Sequence, residues 1–185
     1  MLDKEFYIKN GLIYGVVNMV YLMITYVMGV DTMISYWNSG ASILIGLGMM
    51  VYMGIQVRNA NGGFMTLGEG FKSILVIYAL GAFLYLLFNF VLGQVIDPEL
   101  PGKLAEATIN KTIAMMENFD LPEDQLDTIY DEMETKVQDQ MASMYTITGF
   151  IQTYLMTVAF GAIGALIGAA ITKKANPNPF EEEAI

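Results

Sequence analysis

The chain has neither cysteine nor histidine among its 185 residues. That removes disulfides, thiolate metal sites, thiol nucleophiles and imidazole acid–base chemistry together. Charge is scarce too: 15% of residues are charged against 55% hydrophobic, which is too little charge for an ordinary soluble domain. Arg58 is the one arginine. A net charge of −10 argues against nucleic acid as a partner, although most of the acid sits in one segment. The first apolar run is preceded by Asp3 and Glu5 among lysines and is followed by no Ala-x-Ala site, so it is expected to stay in the membrane rather than be cleaved as a signal peptide.

What the chain does have is apolar runs of membrane length. Gly11 to Val30 carries no charge, and about 20 apolar residues span a hydrocarbon core of roughly 30 Å. Ala41 to Val57 reads as a second span, Ile74 to Ile96 as a third, and Met144 to Thr172 as a fourth. A polar link from Asp31 to Gly40 joins the first two and places Trp37 at the interface. The fold class is therefore all-α: four transmembrane helices with an extramembrane helical hairpin.

Between the second and third spans lies a polar, glycine-rich hinge, residues 58–72. Asn59 to Gly63 is turn chemistry, and Thr66-Leu67-Gly68-Glu69 has the spacing of a capping box. Phe64, Leu67 and Phe71 form an apolar face that predicts an interfacial turn bending into the third span. Asp97-Pro98-Glu99-Leu100-Pro101-Gly102 ends that span. Lys103 to Asn118 predicts an amphipathic helix, and Asp120-Leu121-Pro122-Glu123 a capped second one. Its stripe of Leu126, Ile129, Met133, Val137, Met141 and Met144 meets no breaker, so the second arm is expected to run on into the last span as a single helix of ~78 Å from Leu121 to Thr172. The chain thus divides into residues 1–96, the acidic hairpin 97–143, the last span 144–174 and a tail, 175–185, whose Pro- and Glu-rich composition predicts disorder.

Orientation follows from the basic residues. Lys4, Lys9, Arg58, Lys72, Lys173 and Lys174 fall on one side of four spans, while residues 97–143 hold three lysines against twelve acids. The positive-inside rule puts both termini and the hinge in the cytoplasm and the acidic hairpin outside.

Candidate sites compete with plainer structural readings. Arg58, Gly62, Gly63, Phe64, Glu69, Phe71 and Lys72 form a candidate partner interface or lipid-headgroup site; simple positive-inside anchoring explains the same residues. The hinge glycines lack the Gly-Lys-Ser/Thr ending of a phosphate loop. Tyr14, Asn18, Tyr21 and Thr25, then Tyr78, Tyr85 and Asn89, then Tyr145, Thr148 and Gln152 make polar seams. They line a cavity for an amphiphile or, as the favoured reading, hydrogen-bond helices together. Gly11 and Gly15, and Gly161, Gly164 and Gly168, permit close helix contact within the chain or between chains. No charged residue lies centrally in a span, which demotes ion-coupled transport. Asp120, Asp124, Asp127 and Asp131 read as a solvated face without a calcium loop, and the fifteen methionines read as packing rather than copper ligands. No cofactor, metal or catalytic set is expected.

Several of these stretches together resemble one family. They are Ile8-Lys9-Asn10-Gly11-Leu12-Ile13-Tyr14-Gly15, Gly62-Gly63-Phe64 with Leu67-Gly68-Glu69-Gly70-Phe71-Lys72, Ile96-Asp97-Pro98-Glu99-Leu100, and the glycine-rich last helix ending in Lys173-Lys174. Over essentially the whole chain the sequence is similar to the Bacteroidota four-helix inner-membrane family called domain of unknown function 4199. The resemblance implies a Gram-negative inner membrane, makes "outside" the periplasm, and carries over no catalytic residues. The expected role is a non-enzymatic accessory or scaffold subunit of an envelope complex, with membrane lipids and a membrane-protein partner or second copy as its contacts. The alternative is a binder or carrier of a lipid or small amphiphile using the seams.

Overall fold

The computed structural model of the protein describes residues 2–117 and 123–177, with side chains over 2–116 and 129–177. Among these the structure is all-helical. It comprises α1 (Lys4–Met28), α2 (Val30–Met33), α3 (Tyr36–Ala60), α4 (Leu67–Val91) with a π-helical extension (Leu92–Ile96), α5 (Leu100–Glu117), α6 (Glu123–Met144) and α7 (Ile147–Thr172). Helices α1, α3, α4 with its extension, and α7 are the four long and apolar enough to cross a membrane. The shortest of them has 25 residues, ~38 Å at 1.5 Å per residue, which exceeds a hydrocarbon core of roughly 30 Å. Their outward residues are those a membrane solvates: Val20, Val27, Leu44, Leu155, Phe160 and Ile171 are all exposed. Trp37 is 90% exposed, as suits an aromatic residue at headgroup level. The predicted capping of residues 120–123, most of the Asp120–Asp131 edge, and the tail from Asn178 lie outside the described residues.

The described chain forms two compact units. The first comprises Met1–Asn18, Ala41–Tyr85 and Leu155–Ile185. Its core is Tyr14, Met50, Met53, Val57, Met65, Ile74, Ile77, Ala165 and Ala169. Small residues set its helix spacing. A Cβ at Gly11 would stand 2.7 Å from the Leu80 Cβ, and one at Gly15 3.0 Å from the Gly81 carbonyl, so α1 and α4 pack backbone to backbone. Gly164 and Gly168 lie against Met50 of α3, and Gly161 lies under the Tyr78 ring of α4. These glycines therefore pack helices within the chain.

The second unit comprises Met19–Gly40 and Leu86–Tyr154. Helices α5 and α6 pack along each other, and α2 packs on α5. Ile109 of α5 is buried, while Ile129, Met133, Val137 and Met141 of α6 are half-buried, as an amphipathic stripe requires. The polar link expected over Asp31–Gly40 is shorter than its composition suggests. Gly29, at φ 102°, turns the chain into α2, and α3 begins at Tyr36.

The expected unbroken helix from Leu121 to Thr172 is not what forms: α6 ends at Met144 and α7 starts at Ile147. Two interactions impose the break. The Tyr145 side chain is buried over Gly93, whose missing Cβ leaves room for the ring. Thr146 then caps α7, its Oγ1 accepting the Gly149 N–H at 3.0 Å.

Candidate functional site

The turn after α3 is built locally. Gly62 and Gly63 have φ of 70° and 91°, in the left-handed region that suits glycine. The Gly63 N–H returns to the Arg58 carbonyl at 2.9 Å. The capping box forms as its spacing predicts. Glu69 Oε2 accepts from the Thr66 N–H and from the Thr66 hydroxyl, each at 2.8 Å, and Thr66 Oγ1 accepts the Glu69 N–H at 3.3 Å. Because this cap starts α4 at Leu67, the interfacial bend expected over residues 64–72 is instead the first turns of a continuous helix. The hinge proper shrinks to Asn61–Thr66.

One long-range feature anchors the turn. Met65 and Lys174 form an isolated antiparallel bridge: the Met65 N–H donates to the Lys174 carbonyl at 2.8 Å, and the Lys174 N–H to the Met65 carbonyl at 2.9 Å. The Met65 side chain is buried. Arg58 Nη1 donates to the Thr172 carbonyl at 3.4 Å, which places a cation at the carbonyl end of α7. Hinge and helix terminus are thus joined by three backbone-directed hydrogen bonds.

A cavity of about 760 Å³ opens here. Leu2 and Tyr7 line it from the start of the chain, Asn61, Phe64, Met65 and Thr66 from the hinge, Glu69, Lys72, Ser73 and Val76 from α4, and Lys174 and Asn176 from beyond α7. The α4 residues fall at spacings of three and four, so one helix face forms that wall. The Tyr7 hydroxyl and Ser73 Oγ are 3.0 Å apart, which ties α1 to α4 at the cavity. Lys174 Nζ sits 5.3 Å from the centroid of the Phe64 ring, close enough for a cation–π contact. Among the described residues the ion pairs involve Lys103 and Lys136, and none of them involves Lys72 or Lys174.

The hinge candidates therefore separate. Phe64, Glu69 and Lys72 line the cavity; Gly62 and Gly63 shape the turn; Arg58 caps α7; Phe71 packs on the core. Leu2, Tyr7, Ser73, Lys174 and Asn176 also line it and were not picked out from the sequence as one site. The usable signal was weak: Lys174 belongs to the same basic side as Lys72 in the positive-inside count.

The polar seams do other work. Tyr14 is buried edge-on against Tyr78, with ring centroids 5.4 Å apart, and the Tyr78 hydroxyl donates to the Thr157 carbonyl at 3.2 Å. Asn18 donates to the Tyr14 carbonyl of its own helix at 2.8 Å, and Tyr21 bonds Asn38. Tyr85 and Asn89 are half-buried. Gln152, expected inside the bundle, is exposed. It lies nine residues before Gly161, about 180° around a helix at ~100° per residue, so the close-packed glycine edge of α7 turns it outward.

A second cavity, of about 650 Å³, lies between α2 and α5 and is lined by Asp31, Ser35, Lys103, Glu106, Asn110 and Lys111 among others. Its cations are engaged: Lys103 pairs with Glu99 at 3.1 Å and Asp97 at 3.4 Å, while Lys111 donates to the Ile34 carbonyl at 2.6 Å and sits 3.9 Å over the Tyr36 ring.

All the lining residues of the hinge cavity except Leu2, Tyr7 and Asn176 lie inside the stretch that identifies the chain. Residues 9–174 match the family described as "Protein of unknown function (DUF4199)". The chain belongs to that family. The match takes in the hinge, the capping box and the Met65–Lys174 bridge, ending at the lysine that closes the site. No curated protein and no solved structure matches the chain.

Proposed function

We propose that this DUF4199 protein is a non-enzymatic component of a bacterial inner membrane that holds a membrane amphiphile in the hinge cavity. The supporting observation is the cavity itself. At about 760 Å³ it falls within the ~300–1,000 Å³ of small-molecule sites, and it combines apolar walls with a few convergent polar groups. Its place at the ends of four membrane-length helices suits a ligand with its head at the interface and its tail in hydrocarbon. The positive-inside count assigns this end to the cytoplasm.

Native mass spectrometry of the full chain, extracted in mild detergent, tests the reading. A retained lipid mass that disappears in Val76→Trp, which fills the cavity, is the expected result. A wild-type protein that carries no lipid under conditions preserving its fold refutes it.

A scaffold role has its own support in α6, whose Asp131, Glu132, Glu134 and Asp139 are exposed, with Lys136 satisfying one of them. That acidic face is suited to a basic partner surface in the periplasm. In-cell crosslinking from α6 should then recover one dominant protein, and a cysteine at position 139 should react with an impermeant reagent from outside the cell membrane. Labelling only after disruption inverts the topology.

A further inference from the structure

Resting on the amphiphile reading above, we infer that the ligand is an anionic phospholipid whose phosphate lies between Lys72 and Lys174, with an acyl chain along the exposed α4 track of Val76, Leu80 and Phe83. Charge is the first argument. Among the described residues, the charged side chains lining the cavity are Lys72, Lys174 and Glu69, a net of one positive charge. A phosphodiester with a single negative charge neutralises it. One Glu69 oxygen is engaged by both the N–H and the hydroxyl of Thr66, which fixes the carboxylate in place on the cavity wall. The Lys174 ammonium rests over the Phe64 ring, and its backbone is pinned in both directions by Met65.

Donor chemistry is the second argument. Asn61, Ser73 and Asn176 add hydroxyl and amide groups to the same walls, as phosphate oxygens require. The third is the apolar track. Val76, Leu80 and Phe83 are exposed at spacings of four and three, so they form a strip on α4 that begins at the cavity. A free phosphate ion would use the lysines and leave that strip and the apolar wall without a role. A phospholipid uses both.

The test uses full-length protein in detergent, titrated with phosphatidylglycerol or phosphatidylcholine of identical chains, with inorganic phosphate as a third arm. Phosphatidylglycerol is expected to bind at least tenfold more tightly than phosphatidylcholine, and added salt should erode the difference. Lys72→Gln and Lys174→Gln should each remove most of that preference, and Lys72→Arg should restore it. Lys173→Gln, which changes a lysine outside the cavity, should leave it intact. Millimolar phosphate should not displace the lipid. Equal affinity for the two lipids, both lost in Val76→Trp, overturns the headgroup inference and leaves the amphiphile reading standing. Displacement by phosphate alone overturns it in favour of a free anion. An equal loss of preference in Lys173→Gln reduces it to nonspecific surface charge. If neither lipid binds, both readings fall.

Discussion

The closest backbone approach in the first unit permits a prediction whose sign is unusually well determined. A Cβ added at Gly81 would stand 2.9 Å from the Gly11 carbonyl oxygen and 2.9 Å from the Tyr14 Cβ. Non-bonded atoms prefer about 3.5–4.0 Å, so α1 must retreat from α4 by on the order of half an ångström. Neither obstacle is the free end of a flexible side chain, and Tyr14 is itself buried against Tyr78. Overpacking of this kind costs about 1–3 kcal/mol. Replacing a helical glycine with alanine also returns up to about 1 kcal/mol of backbone propensity. A control cancels that gain. Gly48 lies within α3, and a Cβ there meets nothing within 4 Å. Gly48→Ala and Gly81→Ala share the propensity gain, so their difference isolates the steric cost. We expect Gly81→Ala to be the less stable by about 2 kcal/mol, roughly thirtyfold in the unfolding equilibrium. Reversible unfolding in mixed detergent micelles measures this directly. Equal stability of the two variants would refute the backbone-to-backbone packing of α1 on α4.

Three further outcomes follow from local geometry. Thr66→Ala should cost about 1 kcal/mol and speed hydrogen exchange at the Glu69 amide, while Thr66→Ser should preserve both; unchanged exchange in the alanine variant would count against the capping box. Gly93→Ala should destabilise the protein by about 1–3 kcal/mol with Tyr145 present and far less in a Tyr145→Ala background, so an additive double-mutant cycle would deny the ring its seat on that glycine. The Lys136 ammonium, hydrogen-bonded to Glu132 at 2.9 Å, holds that carboxyl below its ordinary range. The folded-state value being the lower one, the pair contributes above the unfolded-state value and is lost as pH falls through the depressed one. Carboxyl NMR should show Lys136→Met returning Glu132 to the ordinary range; an unmoved midpoint would refute the pairing.

The features legible in the sequence were those with local causes. Four runs of sufficient length and hydrophobicity mark the spans without reference to anything else in the chain, and Thr66 and Glu69 carry their capping geometry in their spacing. The break at Tyr145–Thr146 was not legible, because what seats Tyr145 is a glycine at position 93. Gln152 was misplaced because a helix that is apolar all round does not declare its rotation in its periodicity; the glycine edge of α7 sets it through Met50 and Tyr78. The candidate site was half legible. Phe64, Glu69 and Lys72 stand together in a distinctive stretch, but Tyr7 and Lys174 reach the same cavity only through the packing of α1 and the bridge to Met65.

That bridge has a consequence for how the protein is made. Three spans, the hairpin and the fourth span must all be synthesised before Lys174 can meet Met65, so the hinge waits as an open turn through most of translation. A chain stopped after Thr172 would keep every membrane-length helix and still lack the second lysine and the strand-like pair that holds it. The cavity therefore cannot be completed before the final helix has brought its carbonyl end beside the hinge.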